Sequence, residues 1–145
     1  MEKKTPKEYL RQLRTAEIKI EQKEEELERL KSSLESISTG TDGERVQTTP
    51  RDRLSEEITR IVDLEKEINS DLGAMLMLRN KIINEIQSMD NPIYINILYK
   101  RYVQYKSLEE IAVEMSYSYR QILRLHGLAL QEFKRWHTMS HLSVV

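Results

Sequence analysis

Apolar residues recur at steps of three and four through most of this chain, which is the spacing of amphipathic helices. From residue 6 to about residue 37 they follow a seven-residue repeat, which Glu17, Glu24 and Lys31 interrupt. The repeat consists of Leu10, Leu13, Ile20, Leu27 and Leu34. Charges of alternating sign fill the remaining positions. The pattern predicts a long exposed helix or the flank of a coiled coil.

A second long helix is predicted from residue 52 to about residue 89, with a wider apolar stripe. At about 1.5 Å per residue it extends about 55 Å, too long for one small C-terminal unit to cover. We expect it to fold back antiparallel on the first helix and to pair with a second copy through its leftover apolar face; a long parallel coiled coil is the alternative. The residues assigned to oligomerisation are Leu54, Ile58, Ile61, Ile68, Leu72, Met75, Ile82 and Ile86.

Between these helices, residues 38–52 concentrate Ser, Thr, Gly, Pro and Asp and are predicted to form a loop. A solvated loop that caps the next helix is the main interpretation. Contact of Arg45, Arg51 and Arg53 with a DNA backbone is the alternative.

The last third of the chain contains three closely spaced helix starts. Asn91-Pro92 supplies a cap and a proline at the first helical position. Ser107 with Glu110, and Ser118 with Gln121, form two capping boxes eleven residues apart. The first of these two helices has room for only about two turns, so an abrupt two-helix corner is predicted.

The residues at this corner have the spacing of a helix-turn-helix. Six side chains are expected to converge between the helices: Ile111, Ala112, Met115, Tyr117, Ile122 and Leu125. The outer face of the second helix would carry Tyr119, Arg120, Leu123 and Arg124. Arginine can make paired hydrogen bonds to a guanine edge in the major groove, so these four are the candidate base-reading residues. A small three-helix bundle with solvated arginines is the alternative.

The same third of the chain resembles region 4 of sigma-70 type factors. The resemblance rests on residues 97–102 (ILYKRY), 108–112 (LEEIA), the cap at Ser118 and residues 127–130 (GLAL). Including residues 45–49 (RVQTT), 61–65 (IVDLE) and 117–120 (YSYR), the whole chain is similar to a sigma-like family of phages and mobile elements, related to the ArpU and RinA type late-gene regulators.

This resemblance implies a transcription regulator that binds double-stranded DNA and acts with host RNA polymerase. It implies backbone contacts by Arg101, Lys106, Ser107, Ser118 and Gln121. The chain departs from the pattern at two positions. Ser116 replaces the usual turn glycine and would carry any left-handed backbone strain, and Leu123 replaces a polar reader. No segment resembles the regions of sigma factors that melt DNA.

The uneven charge of the chain supports a division into a C-terminal DNA-binding part and an N-terminal part with another role. The 145 residues carry a formal net charge of −1. Residues 92–136 hold seven Lys or Arg and four Glu, a net +3, whereas residues 1–91 sum to −4. The C-terminal unit is therefore the one suited to phosphate. Because +3 is modest for a DNA-binding unit, we expect a homodimer through the N-terminal helices.

Candidates for catalysis are few. The chain has no cysteine and three histidines, His126, His137 and His141, all near its end. We expect no catalytic residues, no metal, no cofactor and no enzyme activity. His126 is expected either near phosphate or in the packing around Gly127. The first residues lack the apolar core of a signal peptide, and no apolar run is long enough to cross a membrane, so the cytoplasm of a bacterial host is the expected compartment.

The sequence thus predicts an all-α chain. Residues 1–90 form the long helical hairpin or coiled coil, residues 91–137 form the helix-turn-helix domain, and residues 138–145 form a flexible tail. The expected function is that of a phage or mobile-element late-gene activator. The alternatives are a coiled-coil adaptor that binds polymerase or another protein without reading DNA, and a phage DNA-packaging adaptor.

Overall fold

The computed structural model describes residues 4–39 and 50–142, with side chains for residues 4–36 and 51–138. Within these ranges the fold is all-α and has no strand, which confirms the predicted fold class. The elements are α1 (Pro6–Thr39), α2 (Pro50–Gln87), α3 (Pro92–Leu98), a π-helical turn (Tyr99–Val103), α4 (Leu108–Met115) and α5 (Tyr119–Leu142). None of the described helices combines the length and the apolar character that crossing a bilayer requires.

The helix ends lie close to the predicted ones. Proline occupies the first position of α1, α2 and α3, where its missing N–H is no loss. Most of the predicted loop, residues 40–49, lies outside the described residues, as do residues 143–145. Helix α5 continues through Gly127 to Leu142 and so enters the segment 138–145 that was predicted as a tail. Gly127 disfavours a helix by only about 1 kcal/mol relative to alanine, and no proline follows it to end α5.

The chain divides into two compact units. One, here the two-helix unit, is Ala16–Ala74; the other, here the core unit, joins Met1–Thr15 and Met75–Val145. In the two-helix unit, Lys23 pairs with Glu67, 2.9 Å away, and with Asp71. Six residues further along α1, the charge of Arg29 interacts with that of Glu57 on α2. Because the partners move back along α2 as α1 advances, the two segments run antiparallel within this unit.

The core unit is built around the ends of α1 and α2 together with the π-helical turn and α5. Its buried side chains are Leu10, Leu13, Ile82, Ile86, Met89, Leu98, Tyr102, Val103, Ala129 and Phe133. A polar group lies beside them: the Glu85 carboxylate accepts a hydrogen bond from the Tyr9 hydroxyl and contacts His137 Nε2 at 2.7 Å. Burial, and then the bond to Glu85, raise the pKa of Tyr9 above its usual range.

The assignment of four residues to oligomerisation is corrected, because their side chains are buried within the chain. Ile82 and Ile86 are fully buried, and Ile61 and Ile68 are only 6 to 7% exposed, within a single chain. These side chains are part of the chain's own core and are not available to a second copy. The other four, Leu54, Ile58, Leu72 and Met75, remain partly exposed.

A second, smaller cluster lies where α3, α4 and α5 meet. Its buried members are Ile97, Ile111, Ala112 and Ile122, and Ile93, Leu108, Met115, Tyr117 and Leu125 pack against them. All six side chains predicted to converge at the corner are in this cluster. Asn91 Oδ1 accepts from the Ile93 N–H at 2.9 Å, so the predicted cap of α3 is present.

The corner between α4 and α5 is made by a left-handed residue. Ser116 has φ 60° and ψ 38°, as the replacement of the turn glycine predicted. Its N–H donates to the Val113 carbonyl at 3.3 Å, and the Tyr117 N–H donates to the Ala112 carbonyl at 3.0 Å. This pair of bonds is a Schellman motif, which satisfies the last carbonyls of α4.

A buried polar pair joins the π-helical turn to α5. The Tyr102 hydroxyl and His126 Nε2 are hydrogen-bonded at 2.8 Å. Burial lowers the pKa of His126 to about 4, and the charges of Arg101, Lys7 and Arg11 add to the effect. His126 is therefore neutral at pH 7 and inside the core. The suggestion that it approaches phosphate is corrected, whereas its packing role is present.

We predict that Ser116→Gly stabilises the chain by about 0.5–1 kcal/mol, because glycine adopts a left-handed backbone without the steric penalty of a Cβ. Urea denaturation measures the free energy of unfolding. The matched control is Ser70→Gly, the same change at an exposed position inside α2, where glycine should be destabilising. Destabilisation by both changes would contradict the prediction.

We also predict that acid weakens the fold through His126. Because its pKa in the folded chain, about 4, is below the ordinary 6.5, the unfolded chain takes up the proton first. The stability that the fold has while His126 is neutral is fully present above pH 6.5 and is lost as the pH falls to about 4. After allowance for solvent screening, the loss is on the order of 1–2 kcal/mol.

Urea denaturation across this pH range, compared between the wild type and His126→Gln, isolates the contribution of this histidine from that of the carboxylates. The glutamine variant should have the shallower pH dependence. Equal slopes in the two proteins would show that His126 does not carry the effect.

Candidate nucleic-acid interface

The first two turns of α5 present an exposed strip, here the α5 strip, formed by Tyr119, Arg120, Leu123 and Arg124. Tyr119 and Leu123 are each 45% exposed, and both arginines are exposed. Residues four apart are neighbours on a helix, so the two apolar and the two cationic side chains lie side by side. The structure therefore brings together all four side chains predicted to read bases.

The orientation of this strip follows from the opposite face of α5. Ile122 is fully buried in the corner cluster, and His126 is buried against Tyr102. A rotation of α5 that exposed Ile122 would break apolar packing, and one that exposed His126 would leave the buried Tyr102 hydroxyl without its hydrogen bond. The buried face therefore fixes which residues face outward.

The start of α5 is closed by a complete capping box. Ser118 Oγ accepts from the Gln121 N–H at 3.1 Å, and Gln121 Oε1 accepts from the Ser118 N–H at 3.0 Å. The Ser118 hydroxyl also donates to Gln121 Oε1 at 3.2 Å. Both residues were predicted to contact phosphate, and the structure gives them a first role in capping the N-terminal end of α5. The amide nitrogen of Gln121 is a donor that this cap does not use.

The other predicted backbone contacts are also engaged within the chain. Ser107 Oγ accepts from the Glu110 N–H at 3.1 Å and caps α4. One guanidinium nitrogen of Arg101 donates to the Lys106 carbonyl at 3.0 Å. Arg101 is half-buried and braces the connection between the π-helical turn and α4. Its contact with phosphate stays a prediction.

Lys106 lies in an ion-pair group that the sequence did not reveal. Glu114 Oε1 is 2.7 Å from Lys106 Nζ and 3.0 Å from Lys100 Nζ. Hydrogen bonds from Lys106 and then Lys100 lower the pKa of Glu114. Any phosphate near Lys106 therefore competes with Glu114. Glu114 lies 8 positions after Lys106 and 14 after Lys100. No local sequence pattern could therefore have indicated this group.

The charge around the α5 strip is local rather than extensive. The first turn of α5 has no acidic residue, whereas α4 carries Glu109 and Glu110 in its first turn. Val113, on the outer surface of α4, is 81% exposed. The corner thus combines a small cationic strip with exposed apolar side chains, an arrangement suited to contacts at close range and not to long-range attraction of phosphate.

Among residues 4–36 and 51–138, no three His, Asp or Glu side chains are grouped to hold a metal ion. His137, the last residue of the predicted helix-turn-helix domain, contacts Glu85 and stacks on Phe133 at a centroid distance of 5.7 Å. The side chain of His141 lies outside the described residues. Within the described part of the chain, His137 is thus a packing residue of the core unit.

Comparison with protein-family models, with curated protein sequences and with solved structures found no match to this chain.

Proposed function

We propose that this chain is a sequence-specific regulator of transcription that binds double-stranded DNA. In this proposal α4 and α5 act as a helix-turn-helix, and the first two turns of α5 enter the major groove. The observation that carries the proposal is the α5 strip: two exposed arginines, one helical turn apart, on a helix whose opposite face is buried.

The chemistry of the strip suits base edges. Arg120 and Arg124 each present a planar fork of donors that matches the two acceptors of guanine. Tyr119 and Leu123 present apolar surface, which suits the methyl group of thymine. The strip would therefore read a short mixed sequence through both polar and apolar contacts.

The resemblance to sigma-like regulators adds the biological setting to the proposal. The chain would act with host RNA polymerase on late genes of a phage or mobile element. The polymerase contact would come from a part of the surface other than the α5 strip, because the strip is occupied by DNA.

We propose that two copies of the chain bind DNA together. One strip with two arginines releases few counterions from DNA and therefore binds it weakly. Ile58 and Val62 of the two-helix unit are 45% and 42% exposed and lie four residues apart on α2. The nearby Ile61 and Ile68 are buried within the chain. We propose that the Ile58 and Val62 face pairs with its copy, so that two α5 strips bind one DNA site.

A second candidate function is an adaptor that binds a protein partner without reading DNA. The exposed Val113, together with the apolar members of the α5 strip, favours it, because large exposed apolar side chains are typical of protein interfaces. This candidate has no need for Arg120 and Arg124.

We predict that the chain enriches a defined sequence from random duplexes at low salt. Arg120→Ala and Arg124→Ala should each weaken binding to that sequence by about 1–3 kcal/mol and relax the preference at the positions they contact. The matched control is Arg135→Ala, which removes an exposed arginine from the same helix outside the strip. The control should keep the preference.

If random duplexes yield no enriched sequence, or if the double variant of Arg120 and Arg124 enriches the same sequence as the wild type, the DNA-reading proposal fails. In that case, loss of partner binding on Val113→Lys would support the adaptor.

We predict that the full chain is a dimer at tens of micromolar, and that Ile58→Lys combined with Val62→Lys makes it monomeric, because two cations on each copy would be buried unpaired. Light scattering measures the mass. Ser70→Lys, an exposed polar position of the same helix outside the Ile58 and Val62 face, is the control and should leave the dimer intact. A monomeric wild type at this concentration would contradict the pairing proposal.

A further inference from the structure

A cleft in the core unit is lined by three arginines. Its volume is about 210 Å³. The lining residues are Leu10, Arg11, Arg14, Arg101, Tyr102 and Tyr105, and we call it the arginine cleft. One water needs about 10–15 Å³ of such space, so the cleft has room for a group of several non-hydrogen atoms. It shares no residue with the α5 strip.

The lining of the arginine cleft is strongly cationic. Three of its six residues are arginines and none is acidic. The positive potential acts on the adjacent core: after burial, the charges of Arg101, Lys7 and Arg11 lower the pKa of His126. Several positive charges along one space favour the binding of an anion there.

Two of the arginines are held in position by the chain. Arg101 donates one N–H to the Lys106 carbonyl at 3.0 Å, which leaves further N–H donors of the same guanidinium for a ligand. The guanidinium carbon of Arg14 lies 4.8 Å from the centre of the Tyr105 ring. Stacking on a ring restrains the position of a guanidinium. Such preorganisation reduces the ordering entropy lost on binding.

The backbone beside the cleft adopts two uncommon conformations. The segment Tyr99–Val103 is π-helical, and Tyr105 has a positive φ of 60°, which is unfavourable for a bulky residue. The Lys106 N–H donates to the Lys100 carbonyl at 3.0 Å and helps to hold this conformation. Together the turn and Tyr105 place Arg101, Tyr102 and Tyr105 along one wall of the cleft. Uncommon backbone of both kinds is concentrated at functional sites.

We propose that the arginine cleft binds a phosphoryl group. Arginine forks match the tetrahedral oxygens of phosphate, and the space admits a phosphate with part of the molecule that carries it. The phosphoryl group could belong to a free phosphate compound, such as a nucleotide, or to the backbone of a nucleic acid. Because the cleft and the α5 strip have no residue in common, this proposal does not depend on DNA reading by α5.

The test uses the full chain at low salt, about 20 mM, where screening is weak. Calorimetry and arginine side-chain NMR would follow titrations with inorganic phosphate, pyrophosphate, adenosine diphosphate and a short duplex. Arg11→Gln and Arg14→Gln remove the two exposed arginines of the cleft, and Arg14→Lys keeps the charge but removes the fork. Arg135→Gln, outside the cleft, is the matched control, and circular dichroism checks that each variant folds.

We expect saturable binding that each glutamine variant weakens by about 5- to 10-fold, that Arg14→Lys weakens less, and that Arg135→Gln leaves unchanged. Binding of pyrophosphate or the nucleotide with this pattern identifies a free phosphate compound as the ligand. The same pattern with the duplex alone, and with an unaltered sequence preference, identifies a nucleic-acid phosphate. The proposal is overturned if none of the four probes saturates, or if Arg135→Gln weakens binding as much as Arg11→Gln.

Discussion

The hydrogen bond between Tyr102 and His126 is the contact on which the rest of the core unit depends. It joins the π-helical turn to the middle of α5 inside an otherwise apolar interior, where an unpaired hydroxyl or imidazole would be strongly unfavourable. Because the bond has a direction, which apolar packing lacks, it fixes the rotation of α5 together with the burial of Ile122. Tyr102 also lines the arginine cleft, so the buried pair and the wall of the cleft share this residue.

Much of the local structure was readable from the sequence because it depends on short-range chemistry. The Ser118 and Gln121 cap, the Asn91 cap and the left-handed Ser116 each involve residues within a few positions of one another. The exposure of Arg120 and Arg124 followed from the same information, since a buried stripe on a helix defines the opposite face.

The contacts that the sequence did not reveal join residues that are far apart along the chain. Nothing near Ile82 or Ile86 distinguishes an apolar side chain that packs inside its own chain from one that packs against a second copy, because both follow the same helical spacing. Arg11 and Arg101 are separated by most of the chain, so their convergence on one cleft depends on the tertiary fold. His126 was ambiguous for the same reason, since its partner lies 24 residues earlier.

Two features hold the α4 to α5 corner. The Schellman motif at Ser116 supplies backbone hydrogen bonds, and a small apolar cluster packs the two helices together. None of the four side chains of the α5 strip belongs to that cluster. Substitutions in the strip therefore leave the interior packing of the corner unchanged, and exposed helical positions generally tolerate replacement with small changes in stability. The corner is in this respect an evolvable scaffold: a lineage could exchange its outward side chains and acquire a new target while keeping the same fold.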